Sequence, residues 1–230
     1  MTMIENNLRA VHERMALACR AAGRDVSAVT LLAVSKTFGV DAVLNAYAAG
    51  QTAFGENYIQ EAVQKITALR HLPLQWHCIG PIQSNKTRLV AEHFDWVHTV
   101  DRLKVAQRLS EQRPASLAPL QVCIQVNVDG GASKSGVPPV EALALAQQVA
   151  VLPGLRLRGV MSIPESAPDF IAACALFNSV RAVFDALNVQ GLALDTLSMG
   201  MSADMEAAIE SGSTLVRVGS AIFGARSKPA

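Results

Sequence analysis

From Thr30 onward, short runs rich in Val, Ile and Leu alternate with longer segments of helical period, and the alternation continues to the end of the chain. Such a pattern is the signature of βα units around a parallel sheet, whose strands are buried on both faces. Strands are predicted near 30–35, 51–55, 74–79, 95–99, 120–128, 155–161, 194–198 and 214–218, each followed by a helix, the last one short. Eight units in 230 residues fit an α/β fold of the closed (β/α)8 TIM-type barrel class, at the lower end of its size range. A doubly wound open sheet is the alternative, but it usually has fewer strands, and no GxGxxG follows the first run. Upstream, Ile4, Leu8, Val11, Met15 and Ala18 form the stripe of an extra N-terminal amphipathic helix. No Pro/Gly/Ser-rich linker, repeat or low-complexity tract divides the chain, so residues 1–230 are expected to form one domain.

Composition narrows the function classes. Half of the residues are hydrophobic and 17% are charged, ample for a buried core. A net charge of +1 offers nothing to nucleic acid or an anionic membrane. Cys19, Cys78, Cys123 and Cys174 are scattered, without the spacing of a zinc site, and are expected to be free thiols in a reducing cytoplasm. The N-terminus lacks the apolar core of a signal peptide, and no window is expected to reach the length of a transmembrane helix. The expectation is therefore a soluble cytoplasmic protein without metal.

Polar residues gather where the apolar runs stop. The first run ends in Ser35 and Lys36, the second in Glu56 and Asn57, the third in His77, and the fourth in His98, Thr99 and Asp101. The fifth ends in Asn127, the sixth in Met161 and Ser162 and the seventh in Ser198, while the eighth carries Arg217 with Gly219 and Ser220 beyond it. A barrel's functional face lies at the C-terminal ends of its strands, so all of these are expected at one mouth.

Lys36 follows TLLAVS, among apolar neighbours that disfavour the ammonium, and a partly neutral amine is a nucleophile towards aldehydes. Its position alone favours a strand-end lysine reaching into solvent, so the surrounding residues must decide. In TLSMGMSADMEAAIESG, Ser198, Gly200 and Ser202 precede a helix expected to start near Ala203, where hydroxyls and backbone N–H groups welcome an anion. Gly219 and Ser220 supply the same chemistry after the eighth strand, and the loops after strands seven and eight are the usual phosphate site of barrels. A helix-capping serine and a glycine turn account for each segment singly, though less well for both together. Arg217, inside LVRVG, requires a polar partner; a pyridine nitrogen, Asp195 or Glu56 would each serve.

With these residues the chain resembles the family of pyridoxal-phosphate-binding homeostasis proteins, which share the barrel of the alanine racemase N-terminal domain. The resemblance rests on AVSKT around Lys36, FGENYIQEA at 54–62, WHCIGPIQSNK at 76–86, QVN at 125–127 with SKSG at 133–136, LSMGMSADMEAAI at 197–209 and VRVGSAIFGAR at 216–226. It implies pyridoxal 5'-phosphate as cofactor, held as a Schiff base on Lys36, with Ser198, Ser202, Gly219 and Ser220 around the phosphate. It also implies Arg217 opposite the pyridine nitrogen and Asn57 near the cofactor. It leaves the roles of His77 and Met161 at the ring open, and Lys134 belongs to a loop considered for a second cofactor contact. The chain departs from the family at Phe38-Gly39, where Lys-Pro is frequent, at Gly131, where an acidic residue is common, and at Ser220, where threonine is common. Of these, Ser220 alone is expected to touch the site.

Three functions compete. An arginine beside the ring nitrogen keeps that nitrogen unprotonated and weakens the ring as an electron sink. Racemisation needs a second base, which the resembled racemases bring as a tyrosine from an additional domain; Tyr47 and Tyr58 are expected on helices instead. Cofactor storage or delivery to apo pyridoxal-phosphate enzymes, by a monomer without efficient turnover, is therefore expected over a racemase-type enzyme. A barrel binding another phosphorylated metabolite is the third reading.

Overall fold

The structure, a computed structural model, describes residues 2–130 and 135–225; Lys134, Gly131 and Arg226 lie outside them. Helix α1 (Met3–Ala21) comes first, started by a capping box in which Thr2 and Glu5 satisfy each other's backbone N–H groups. Eight strands then alternate with eight helices: β1 (Thr30–Val34), α2 (Val40–Ala48), β2 (Ala53–Glu56), α3 (Ile59–Leu69), β3 (Gln75–Cys78), α4 (Thr87–His93), β4 (Trp96–Val100) and α5 (Leu103–Gln112) in the first half. The second half holds β5 (Leu120–Gln125), α6 (Pro139–Ala150), β6 (Leu155–Met161), α7 (Phe170–Val189), β7 (Thr196–Met201), α8 (Met205–Glu210), β8 (Leu215–Val218) and α9 (Ser220–Phe223). The strands close in chain order, all parallel, and β8 meets β1 in register from Thr30↔Leu215 to Ala33↔Val218. The predicted (β/α)8 barrel with its extra N-terminal helix is what the chain forms.

The apolar runs are continuous because both strand faces are buried. On β1, Leu31 and Ala33 join the large core between sheet and helices, whereas Leu32 and Val34 point inward with Ala53, Ile79 and Leu215. That inner apolar cluster is small. Much of the remaining interior is polar, with His77, His98, Ser198 and Arg217 each at most 4% exposed.

Three sequence expectations need correction. The fifth strand stops at Gln125, because Val126 leaves the ladder for an isolated bridge to Val137. The seventh runs on to Met201 through an irregularity after Ser198, and the following helix starts at Met205 behind Asp204. In that irregularity Gly200 has φ +92°, and a Cβ there would sit 2.4 Å from Ala208 Cβ, so only glycine lets α8 fold back onto β7. Finally, α7 is a 20-residue helix of mean hydropathy 1.6, long and apolar enough by composition to span a bilayer. It covers the barrel instead, burying Phe177, Val180 and Leu187.

Candidate functional site

Lys36, Asn57, Ser202, Arg217, Gly219 and Ser220 line one cavity of about 270 Å³ at the C-terminal mouth. Its apolar walls are Val34, Phe38, Ile79, Ile163 and Met201. Phe38 stacks on Phe223 with ring centroids 5.2 Å apart, so the Phe38 departure does touch the site, contrary to expectation. Helix α1 braces the anion-facing loop: Arg14 donates to the Ser202 carbonyl at 2.7 Å and pairs with Glu206 on α8.

Arg217 forms the polar floor. Its guanidinium donates to Ser198 O and Ser198 Oγ, both at 2.8 Å, and to Ser162 O at 2.9 Å. Neither Asp195 nor Glu56 is its partner, and among the described residues no carboxylate lies within 4 Å of it. Burial lowers its pKa to about 10, which leaves it a cation at neutral pH. A buried cation held only by neutral oxygens makes this mouth attractive to anions and hydrogen-bond acceptors.

Lys36 sits on a turn held from behind. Ser35 Oγ donates to Glu56 Oε1 at 2.6 Å, and Lys65 Nζ donates to Ser35 O at 2.9 Å and to Glu56 Oε1 at 2.7 Å. Lys65 also pairs with Glu61, which accepts from Thr37 N at 2.9 Å. Thr37 has φ +69°, a left-handed conformation that costs a residue with a branched Cβ about 1 kcal/mol or more, and the Glu61 contact offsets it. Burial raises the Glu56 pKa, opposed by Lys65 and Ser35. Glu56 therefore faces α3 and not the mouth, a correction to the sequence reading.

Three further residues expected at this mouth lie elsewhere. Ser198 does not line the cavity; it is fully buried beneath Arg217, with Oγ 2.9 Å from His98 Nδ1. Its parity on β7 turns it into the barrel, below the loop that carries Ser202. His77 lies deeper still, lining a separate cavity at the N-terminal mouth with Thr30, Gln75, Trp96, Arg158 and Asp195. Met161 is fully buried and does not line the C-terminal cavity. The sequence reading missed the walls Ile79 and Ile163. Ile79 lies two residues after the inward His77, a spacing that carries the signal.

The residues present fit pyridoxal phosphate. A lysine amine, a buried arginine and two serine-bearing turns surround one apolar slot, and Asn57 Oδ1, buried and without a hydrogen-bond partner among the described residues, is an acceptor at its edge.

Comparison with known proteins agrees with this chemistry. Residues 6–227 match the family described as alanine racemase, N-terminal domain. The pyridoxal phosphate homeostasis protein of Pseudomonas aeruginosa is 59% identical over 98% of this chain and 97% of its own length. The protein of the same name from Escherichia coli is 51% identical over 98% of both chains. Among solved structures, PipY of Synechococcus elongatus with PLP bound superposes with a TM-score of 0.82 at 36% identity, covering 96% of this chain and all of PipY. A D-threonine aldolase from Filomicrobium marinum, at 20% identity and a TM-score of 0.79, shares the fold. By sequence match over almost its whole length and by the barrel it forms, the chain belongs to the pyridoxal phosphate homeostasis protein family, built on the alanine racemase N-terminal domain.

Proposed function

We propose that this protein binds pyridoxal phosphate at the C-terminal mouth and serves its storage and delivery in the cytoplasm, with Lys36 as the covalent anchor. The observation that carries the reading is the buried Arg217, a cation without a carboxylate partner among the described residues, on the floor of the cavity that Lys36 lines. When bound, the cofactor supplies an aldehyde that a lysine amine can capture reversibly and a ring that can withdraw electrons. Ser202, Gly219 and Ser220 would receive the phosphate, Arg217 would donate to the ring nitrogen, and the apolar walls would exclude water. Asn57 would offer its Oδ1 at the ring edge.

The same geometry supports holding without efficient turnover. Donation from a cationic arginine keeps the ring nitrogen unprotonated, which handicaps carbanion chemistry. Neither tyrosine offers a second base: Tyr58 is 54% exposed at the start of α3, Tyr47 lies on α2, and neither lines the cavity.

The test is spectroscopic. Adding pyridoxal phosphate gives a visible band, and borohydride then fixes the cofactor to Lys36, located by peptide mass. A colourless mixture, or modification elsewhere with Lys36→Ala retaining the band, overturns the reading. Transfer is tested by mixing loaded protein with an apo pyridoxal-phosphate enzyme, where activation must outpace dilution through free cofactor. Racemase or transaminase activity at ordinary enzymatic rates, lost in Lys36→Ala, would instead make it an enzyme.

A further inference from the structure

Below Arg217 a line of buried polar side chains runs the length of the barrel. Arg217 Nη1 meets Ser198 Oγ at 2.8 Å, Ser198 Oγ meets His98 Nδ1 at 2.9 Å, and His98 Nε2 meets His77 Nδ1 at 2.9 Å. His77 is 2% exposed, stacks on Trp96 with centroids 5.3 Å apart, and its Nε2 has no hydrogen-bond partner among the described residues.

Hydrogen-bond arithmetic fixes the direction of this line. A guanidinium only donates, so Ser198 Oγ accepts from Arg217. The hydroxyl proton then has one acceptor among its contacts, His98 Nδ1. His98 is neutral, because burial, His77 and Arg217 hold its pKa well below the ordinary value, so its proton resides on Nε2 and is donated to His77 Nδ1. His77, with its pKa lowered by burial to about 3, is neutral as well and carries its proton on Nε2. The reverse direction would leave the Ser198 hydroxyl proton without an acceptor in the interior, in addition to the unpartnered His77 Nε2. It would also turn the dipoles against the Arg217 charge.

We propose that Ser198, His98 and His77 form a one-way hydrogen-bond column that holds the Arg217 guanidinium in position from beneath, with both imidazoles locked as Nε2–H tautomers. His98 and His77 are thereby positioning residues, acting on bound ligand only through Arg217. The column ends in a donor, His77 Nε2–H, beside the cavity at the N-terminal mouth. The tautomers stand on the protein alone, whereas the consequence for the cofactor rests on the function proposed above.

Two measurements test the column. Nitrogen-15 NMR of histidine-labelled protein without added cofactor, with His77→Gln and His98→Gln assigning the rings, is expected to show both in the neutral Nε2–H form between about pH 5 and 8. An Nδ1–H tautomer in either ring, or an imidazolium titrating in that range, overturns the proposal. In the second, His98→Leu and Ser198→Ala lower pyridoxal phosphate affinity about tenfold and shift the visible band, the equivalent of about one lost hydrogen bond. His98→Gln, which offers an acceptor to Ser198 and a donor to His77 from one side chain, restores both. Unchanged affinity and spectrum in His98→Leu, or no rescue by His98→Gln, removes the positioning role. Absence of binding by the unmodified protein refutes the proposed function and leaves the tautomers to decide the column.

Discussion

At the C-terminal mouth Arg217 is 4% exposed and rests on three neutral oxygens, whereas at the N-terminal mouth Arg158 reaches a surface carboxylate. Arg158 donates to both oxygens of Asp195, at 2.6–3.1 Å, and to Gln121 Oε1 at 2.8 Å, and lies 4.9 Å over the Trp96 ring. One arginine is thus neutralised by its own protein and the other is kept charged in reserve. The difference separates a mouth whose arginine is paired within the fold from the mouth proposed to take the cofactor.

The largest effect belongs to the ion pairs behind the C-terminal mouth. Lys65→Met strands Glu56 in the interior and is expected to cost about 3–5 kcal/mol, measured by urea unfolding. A loss below 1 kcal/mol would show that this mouth is as forgiving as the other. Next, Arg217→Met is expected to weaken pyridoxal phosphate binding about a hundredfold, the scale of a lost charge-assisted hydrogen bond, in a titration followed by absorbance. Binding at unchanged strength would erase the contrast between the two arginines.

A pH series sharpens it further. The folded pKa of Glu56 is raised, so the protonated acid favours folding, and that contribution is complete below the unfolded carboxyl pKa. It is lost as pH rises through the folded value. Glu56→Gln should therefore flatten the stability profile above the ordinary carboxylate range, and an unaltered slope would assign the effect to another group. The smallest effect is at the N-terminal mouth, where Arg158→Met should change stability by no more than about 1 kcal/mol and leave cofactor affinity unchanged.

The barrel was legible because strands buried on both faces give uninterrupted apolar runs, and the anion loops because serine and glycine follow two successive runs. Side-chain direction was not legible, for the same reason. When both faces are apolar, period two vanishes, and a polar residue at a strand end can turn either way. Asn57 turned into the mouth, while its neighbour Glu56 turned out to Lys65. Ser198 and His98 are strand-end hydroxyl and imidazole in the sequence, yet their inward parity and depth set them under the site.

Arg14 gives the first helix an influence on time as well as on structure. It grips the Ser202 carbonyl and Glu206 from an element outside the eightfold repeat, so α1 can loosen while every strand pair stays intact. Openings of that kind require less free energy than global unfolding. If Ser202 receives the phosphate as proposed, loosening of α1 is expected to shorten the residence of the bound cofactor while the strand pairing stays intact.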